Sequence, residues 1–299
     1  MPSGLVLGLA LPELAAALKP ILAPSVVLLL LVSMLRVDPS SIGAAFGRWR
    51  LLAVVWLWAL VVCPLLALRI GDALGLPVEL GHALTVSAAA PPLLFGAMFA
   101  AVTGLNAGLA LVGVVGGTLL GALTIPLVAS GAGLDLGSVS TGAFLLRSLA
   151  VVAGTAALAW GIRAALGNAR MDAHKTRFEG IGVVLMIVFA IAVMDGIAAL
   201  AFSDPARLAA FVLAAFALNF ALQLGTVALF WRTGAFDAAT LAIVGGFRNN
   251  GLLLAILPPP VPPEIVLFVA AAQFPIYIVP SLAWPLYAKA ARVDRTGQG

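Results

Sequence analysis

Apolar residues run along this chain in long stretches, and polar residues cluster in the short intervals between them. Ten apolar segments can be read, at about 4–18, 21–36, 51–69, 77–100, 105–129, 141–166, 180–200, 206–231, 236–257 and 263–287. Runs of roughly 20 apolar residues are the pattern of transmembrane helices. Strand-like alternation of the kind that builds a membrane barrel is absent. The pattern predicts an all-α polytopic membrane protein with ten transmembrane helices. The first segment is the weakest, since its apolar part would rise only ~21 Å against a hydrocarbon core of ~30 Å. It would have to tilt, lie at the interface, or extend through Lys19, whose ammonium can snorkel.

Long polar intervals fall at 36–50, 130–140 and 167–179. The middle one divides the chain into 1–130 and 131–299, five segments each. Five is odd, so the second half enters the membrane from the opposite side, and two such halves would form an inverted repeat. The fourth segment of each half is interrupted. Segment four carries Ala88-Ala-Ala-Pro-Pro-Leu, and Pro91 and Pro92 remove backbone donors and break a helix. Segment nine carries Gly245-Gly-Phe-Arg-Asn-Asn-Gly, whose glycines permit close approach and unwinding. Interrupted segments at matching positions of two halves point to a binding site where broken helices four and nine cross at mid-membrane. Taken singly, either break is equally well read as ordinary helix packing, because Pro and Gly are common in membrane helices.

Composition agrees with the pattern. The chain is 63% hydrophobic and 9% charged, against about 25% charged for soluble domains. The net charge of +4 is a topology signal and not a nucleic-acid one. With the N-terminus inside, Arg36, Arg48, Arg50, Arg163, Arg170, Lys175, Arg177, Arg232, Lys289, Arg292 and Arg295 fall on the cytoplasmic side. Only Lys19, Arg69 and Arg207 fall opposite. That asymmetry fixes the sidedness of segments two to ten and, with the first segment spanning, predicts cytoplasmic termini; without it the N-terminus moves outside. The membrane expected is a bacterial inner membrane. The start, Met1-Pro-Ser-Gly, lacks a basic region, so no cleaved signal peptide is expected. The single cysteine, Cys63, excludes an internal disulfide, and with His82 and His174 far apart no metal or other cofactor site is expected. Nucleotide loops and nucleophilic triads are missing, which argues against an enzyme.

The candidate chemistry centres on Arg248. A charge at the centre of a membrane helix costs ~2.5–3.5 kcal/mol on insertion scales, so this arginine must face protein, water or a ligand. One reading pairs it structurally with Asp195, the acidic residue lying well inside a span. The other aims the guanidinium at a small organic anion, with Asn249 and Asn250 orienting it and Gly246, Pro91 and Pro92 shaping the crossing. Asn219 and Gln273 are further candidate contacts, though interhelical hydrogen bonding suits them and Gln223 at least as well. Asp195 is also the candidate for proton coupling. Arg147 reads as structural, Trp56 and Trp58 as interfacial or packing residues, and Glu79 and His82 as solvated loop residues, with a proton site as their alternative reading.

These motifs resemble the bile acid:sodium symporter superfamily along nearly the whole chain. The resemblance is carried by Leu-Pro-Glu-Leu-Ala at 11–15, Leu31-Val-Ser-Met-Leu-Arg and Ala90-Pro91. Thr124-Ile-Pro-Leu, Gly246-Phe-Arg-Asn-Asn-Gly-Leu and Pro262-Pro-Glu-Ile-Val add to it. It implies ten helices in an inverted repeat, with substrate beside the crossing and a panel of helices one, two, six and seven moving against a core of the rest. Auxin efflux carriers resemble the same fold more distantly. The sodium residues are not matched. Val244 and Arg248 stand where the family's helix-nine motif has Glu and Gln. Gly96 and Ala97 replace oxygen ligands on helix four, and Ala110 and Val114 stand near the expected hydroxyls of helix five. The arsenite-exporting branch is matched no better, since its helix-four thiol has no counterpart. The expectation is a secondary active or facilitative transporter of a small organic anion, working by alternating access, uniporting or proton-coupled. Alternatives are a sodium symporter with relocated sites, a passive channel, and a non-transporting receptor or scaffold on the same fold.

Overall fold

The computed structural model describes residues 2–36, 47–133 and 139–296. Most of the polar 36–50 interval and half of the dividing 130–140 interval lie outside the described residues. Regular structure among the described residues is helical, apart from one isolated backbone bridge.

Seven helical stretches are long and apolar enough to cross a membrane: Pro12–Leu35, Trp49–Ala73, Ala107–Gly131, Thr141–Leu166, Thr176–Ser203, Pro205–Thr233 and Pro263–Arg292. Three of the ten expected segments are shorter. The first is split into α1 (Pro2–Ala10) and α2 (Pro12–Leu18), and α2 runs on through a 3-10 turn into α3 (Leu22–Leu35) to make one span. At ~1.5 Å per residue α1 rises about 14 Å, half of what a crossing needs. The fourth and ninth segments are each two short helices with a non-helical break between them.

The remaining elements can now be named. Segment three is α4 (Trp49–Leu57), one π-helical turn (Trp58–Val62) and α5 (Cys63–Ala73). Segment four is α6 (Val78–Ala89) and α7 (Gly96–Thr103), followed by α8 (Ala107–Gly131), α9 (Thr141–Leu166) and a short α10 (Asn168–Ala173). Segment seven splits into α11 (Lys175–Ala192) and α12 (Ile197–Ser203), with Asp195 in the turn between them. Then come α13 (Pro205–Phe230), the broken pair α14 (Ala235–Gly246) and α15 (Asn250–Ile256), and α16 (Pro263–Thr296). In both halves a long helix, a short helix, a break, a short helix and a long helix follow in that order.

Two packed groups result. α3 lies against α9 and α11, and α1 and α2 also lie on α11. In the other group α13 packs on α14 and α16, while α6, α7 and α8 pack around them with α4 and α5. The groups meet where α9 touches α8 and where α15 touches α3. Caps mark the helix starts: Asn106 accepts from the Leu109 N–H at 2.9 Å, Ser140 from Ala143 at 3.2 Å and Asp204 from Arg207 at 3.0 Å.

Ion pairs join groups that the charge count assigns to one side. Arg36 pairs with Glu179 at 3.1 Å, and Arg207 pairs with Glu79 at 3.0 Å. Arg48 grips Asp237 with both terminal nitrogens, and this hydrogen-bonded carboxylate holds the guanidinium above its ordinary pKa against the opposing pull of burial. Asp195 pairs with Lys19 at 2.7 Å. The structural Asp195–Arg248 pair is therefore not formed. The helix ends before Asp195, which leaves its carboxylate within reach of the lysine on the neighbouring turn.

Candidate functional site

The site begins with the two breaks. Proline disfavours the α conformation in the residue before it, and Ala90, ahead of Pro91, has φ −55° and ψ 145°. The α6 helix stops there. On the other arm, Phe247 is extended, with φ −88° and ψ 128°, and Asn249 restarts the chain as α15 by accepting from the Leu252 N–H at 3.1 Å. Breaks deep in an apolar interior leave backbone groups that need partners. Here each break satisfies the other. Leu93 donates to the Phe247 carbonyl at 3.0 Å, and Asn249 donates to the Pro91 carbonyl at 2.7 Å. The two form an antiparallel bridge centred on Pro92 and Arg248.

Gly245 and Gly246 do not unwind the helix, as the sequence suggested. Both lie in the last turn of α14 with ordinary helical φ, and their use is close approach. A Cβ on Gly246 would run into Gln223, and one on Gly245 into Thr226, both on α13.

Arg248 is 3% exposed and has no acidic partner among the described residues. Two carbonyls hold it, and prolines have released both. The Cys63 N–H reaches back five residues to the Trp58 carbonyl, and the next residue, Pro64, has no N–H to give. The helical ladder thus passes over the Ala59 carbonyl, which accepts from Arg248 Nη2 at 3.0 Å. The Ala90 carbonyl, freed by the Pro91 break, accepts from Nη1 at 3.4 Å. The Cys63 thiol lies beside the guanidinium. Nε is buried without a hydrogen-bond partner. A guanidinium carries five N–H donors, so this one has capacity to spare.

The guanidinium borders a small cavity of about 20 Å³, room for roughly one water molecule and far below the ~300–1,000 Å³ of drug-sized sites. Its polar wall is Ser87, Asn219, Gly246, Arg248 and Asn250; its apolar wall comes from α13 and α16. The Ser87 hydroxyl donates to Asn250 Oδ1 at 2.8 Å. Behind Asn219 runs a buried relay, in which Gln223 Nε2 donates to Asn219 Oδ1 at 2.5 Å and the Tyr287 hydroxyl donates to Gln223 Oε1 at 2.6 Å.

The structure thus brings Gly246, Arg248, Asn250 and Asn219 to one wall. It puts Asn249, Pro91 and Pro92 behind that wall, where they build the crossing. Gln273 stands apart, since its Nε2 donates to the Val269 carbonyl of its own helix at 2.9 Å and the residue does not line the cavity. Asp195 does not line it either. Arg147, read as structural, donates to the Ala255 and Ile256 carbonyls at 3.3 and 3.1 Å and so caps the C-terminus of α15. Trp56 and Trp58 anchor inward, to the Gly113 carbonyl at 2.8 Å and to the Thr226 hydroxyl at 3.0 Å.

Sequence reasoning missed Ser87, Tyr287 and the Ala59 carbonyl. Pro64 inside an apolar helix was the signal for the last of these. Ser87 lies one turn before a proline break. Tyr287 gave no sign, since nothing local ties it to Gln223.

Gly96, Val114 and Val244, compared above with sodium ligands, also come together. A Cβ on Gly96 would meet Ile243 and Val114, and one on Gly113 would meet Val244. All are buried, and their side chains bring no oxygen.

No family model matches this chain, and no curated protein matches it significantly.

Proposed function

We propose that this multi-pass helical protein is a secondary transporter. It carries a small organic anion across a bacterial inner membrane by alternating access, without sodium. The observation that carries the reading is Arg248, a buried guanidinium with no carboxylate partner among the described residues, held by two backbone carbonyls on the wall of a cavity at the crossing. A buried cation without a counter-charge is costly, and an anionic ligand supplies that charge each time it binds. A carboxylate suits the fork of donors.

The antiparallel pairing of the breaks and the recurring element order support an inverted repeat of the bile acid:sodium symporter type. The group of α1, α2, α3, α9, α11 and α12 would move against the other. Sodium independence is supported by the aliphatic filling of Gly96, Val114 and Val244, because a sodium ion needs several oxygens and no cation beside them.

Uptake of labelled carboxylates into proteoliposomes tests the reading. A transporter saturates and shows counterflow, a channel does not saturate in this way, and a receptor gives no flux. Replacing sodium by choline should leave uptake unchanged; a strict sodium requirement would refute that part. If uptake follows a pH gradient, Asp195→Asn should uncouple it.

A further inference from the structure

The side chains on the polar wall of the cavity are arranged to offer donors, and for Asn219 residues behind the wall enforce this. Asn250 Oδ1 is taken up by the Ser87 hydroxyl, and Asn219 Oδ1 by Gln223 Nε2. Turning the Gln223 amide over has a cost, because the hydrogen that the Tyr287 hydroxyl now donates to Oε1 would lose its acceptor. Neither Asn219 nor Asn250 has its amide nitrogen engaged by a described residue, so N–H groups are what they have left for a ligand. Arg248 has no acceptor at all. Apart from the lone pairs of the Ser87 oxygen, the wall's side chains present donors only.

We infer that Gln223 and Tyr287, neither of which lines the cavity, are positioning residues that set its specificity. They hold Asn219 with its nitrogen available to the ligand. The favoured ligand is then a small carboxylate with a second acceptor beside the carboxylate, such as an oxo group. A carboxylate with an ammonium at that place meets a guanidinium and two amide nitrogens and finds no side-chain carboxylate or amide oxygen to receive its protons. The discrimination is the kind a polar site achieves by leaving the wrong ligand's groups unpaired. This inference rests on the reading of the cavity as an anion site.

The test is binding of butyrate, 2-oxobutyrate, 2-hydroxybutyrate and 2-aminobutyrate to the purified full-length protein, measured by calorimetry. The expected order places 2-oxobutyrate about tenfold or more above 2-aminobutyrate, with 2-hydroxybutyrate between. Gln223→Glu keeps an acceptor for Tyr287 and removes the donor to Asn219, which is then free to turn its oxygen toward the cavity. Tyr287→Phe removes one hydroxyl and keeps the ring, whose centroid lies 5.4 Å from that of Phe99, so folding is preserved. Both variants should shrink the oxo-to-amino ratio by about threefold or more; with Tyr287→Phe, which adds no charge, butyrate itself should change less than about twofold. A general loss of packing would weaken all four acids alike.

If the acids bind through Arg248 but the ratio is absent, or survives in both variants, the inference fails and the anion site stands. If none of the four binds, or binding ignores Arg248→Gln, both readings fail together.

Discussion

Replacing Arg248 by methionine separates a structural guanidinium from a ligand-binding one, because the structure gives the two effects different sizes. The change removes hydrogen bonds of 3.0 and 3.4 Å to the Ala59 and Ala90 carbonyls. Each carbonyl left buried and unpaired costs about 1–3 kcal/mol, so about 2–6 kcal/mol is lost. The same change removes a buried charge, whose effective desolvation penalty is several kcal/mol, together with an Nε that has no partner. The two sums are of similar size, and methionine fills much of the space. The expected net change in folding free energy is within about 2 kcal/mol, a shift of less than about 8 °C in Tm by the usual scaling.

Ligand binding has no such compensation. A carboxylate gripped by the fork loses two charge-assisted hydrogen bonds of about 1.5–3 kcal/mol each, which weakens binding roughly 10²–10⁴-fold. Thermal unfolding in detergent and proteoliposome uptake read the two sides. Arg248→Met with near-normal Tm and no saturable uptake is the expected result. Uptake within threefold of the parent would refute the anion-binding role. A collapse of the fold would show that the guanidinium is a strut between the Trp58–Val62 turn and the crossing.

Three further outcomes are expected. Pro64→Ala offers the Ala59 carbonyl a helical donor and removes a helix-breaking ring, so Tm should rise while anion affinity falls about tenfold through loss of the arginine's anchor; a rise in both would show the anchor to be unimportant. Gly246→Ala drives a Cβ into Gln223 and should destabilise by about 1–3 kcal/mol. Gly154→Ala on α9, with nothing within 4 Å, should be neutral or stabilise by up to about 1 kcal/mol, and equal Tm shifts for the two would contradict the packing of α13 on α14. Arg147→Met removes the cap on α15 and, at an exposed position, should cost less than about 1 kcal/mol, seen best as faster amide exchange at 254–256.

Much of this architecture was legible because its causes are local. Apolar runs gave the long helices nearly to the residue, as with Thr141–Leu166 and Pro205–Phe230. Pro91 and Pro92 fixed the first break through the conformation they impose on Ala90. The second break was readable from the expense of an arginine inside an apolar segment. What could not be read was pairing. Asp195 lies in a turn and meets Lys19, a contact that depends on where α1 and α2 fold back. Gln273 could satisfy itself one turn back on its own helix, so its polarity alone did not mark a ligand. Tyr287 and Gln223 are 64 positions apart, and only the packing of α16 on α13 brings them together.

The reciprocal hydrogen bonds at the crossing also bear on motion. Leu93 and Asn249 each donate across the gap to the opposite break. If one arm straightened into a continuous helix, it would strand two backbone groups of the other in an apolar interior that has no water to replace them. The arms are thus mutual jigs: neither can change shape without the other, and a joint change would have to lose both bonds at once. On the proposed transport reading, opening the cavity to one side and then the other would have to travel around this knot as a fixed pivot, carrying the strain in helices that have no such bond to lose.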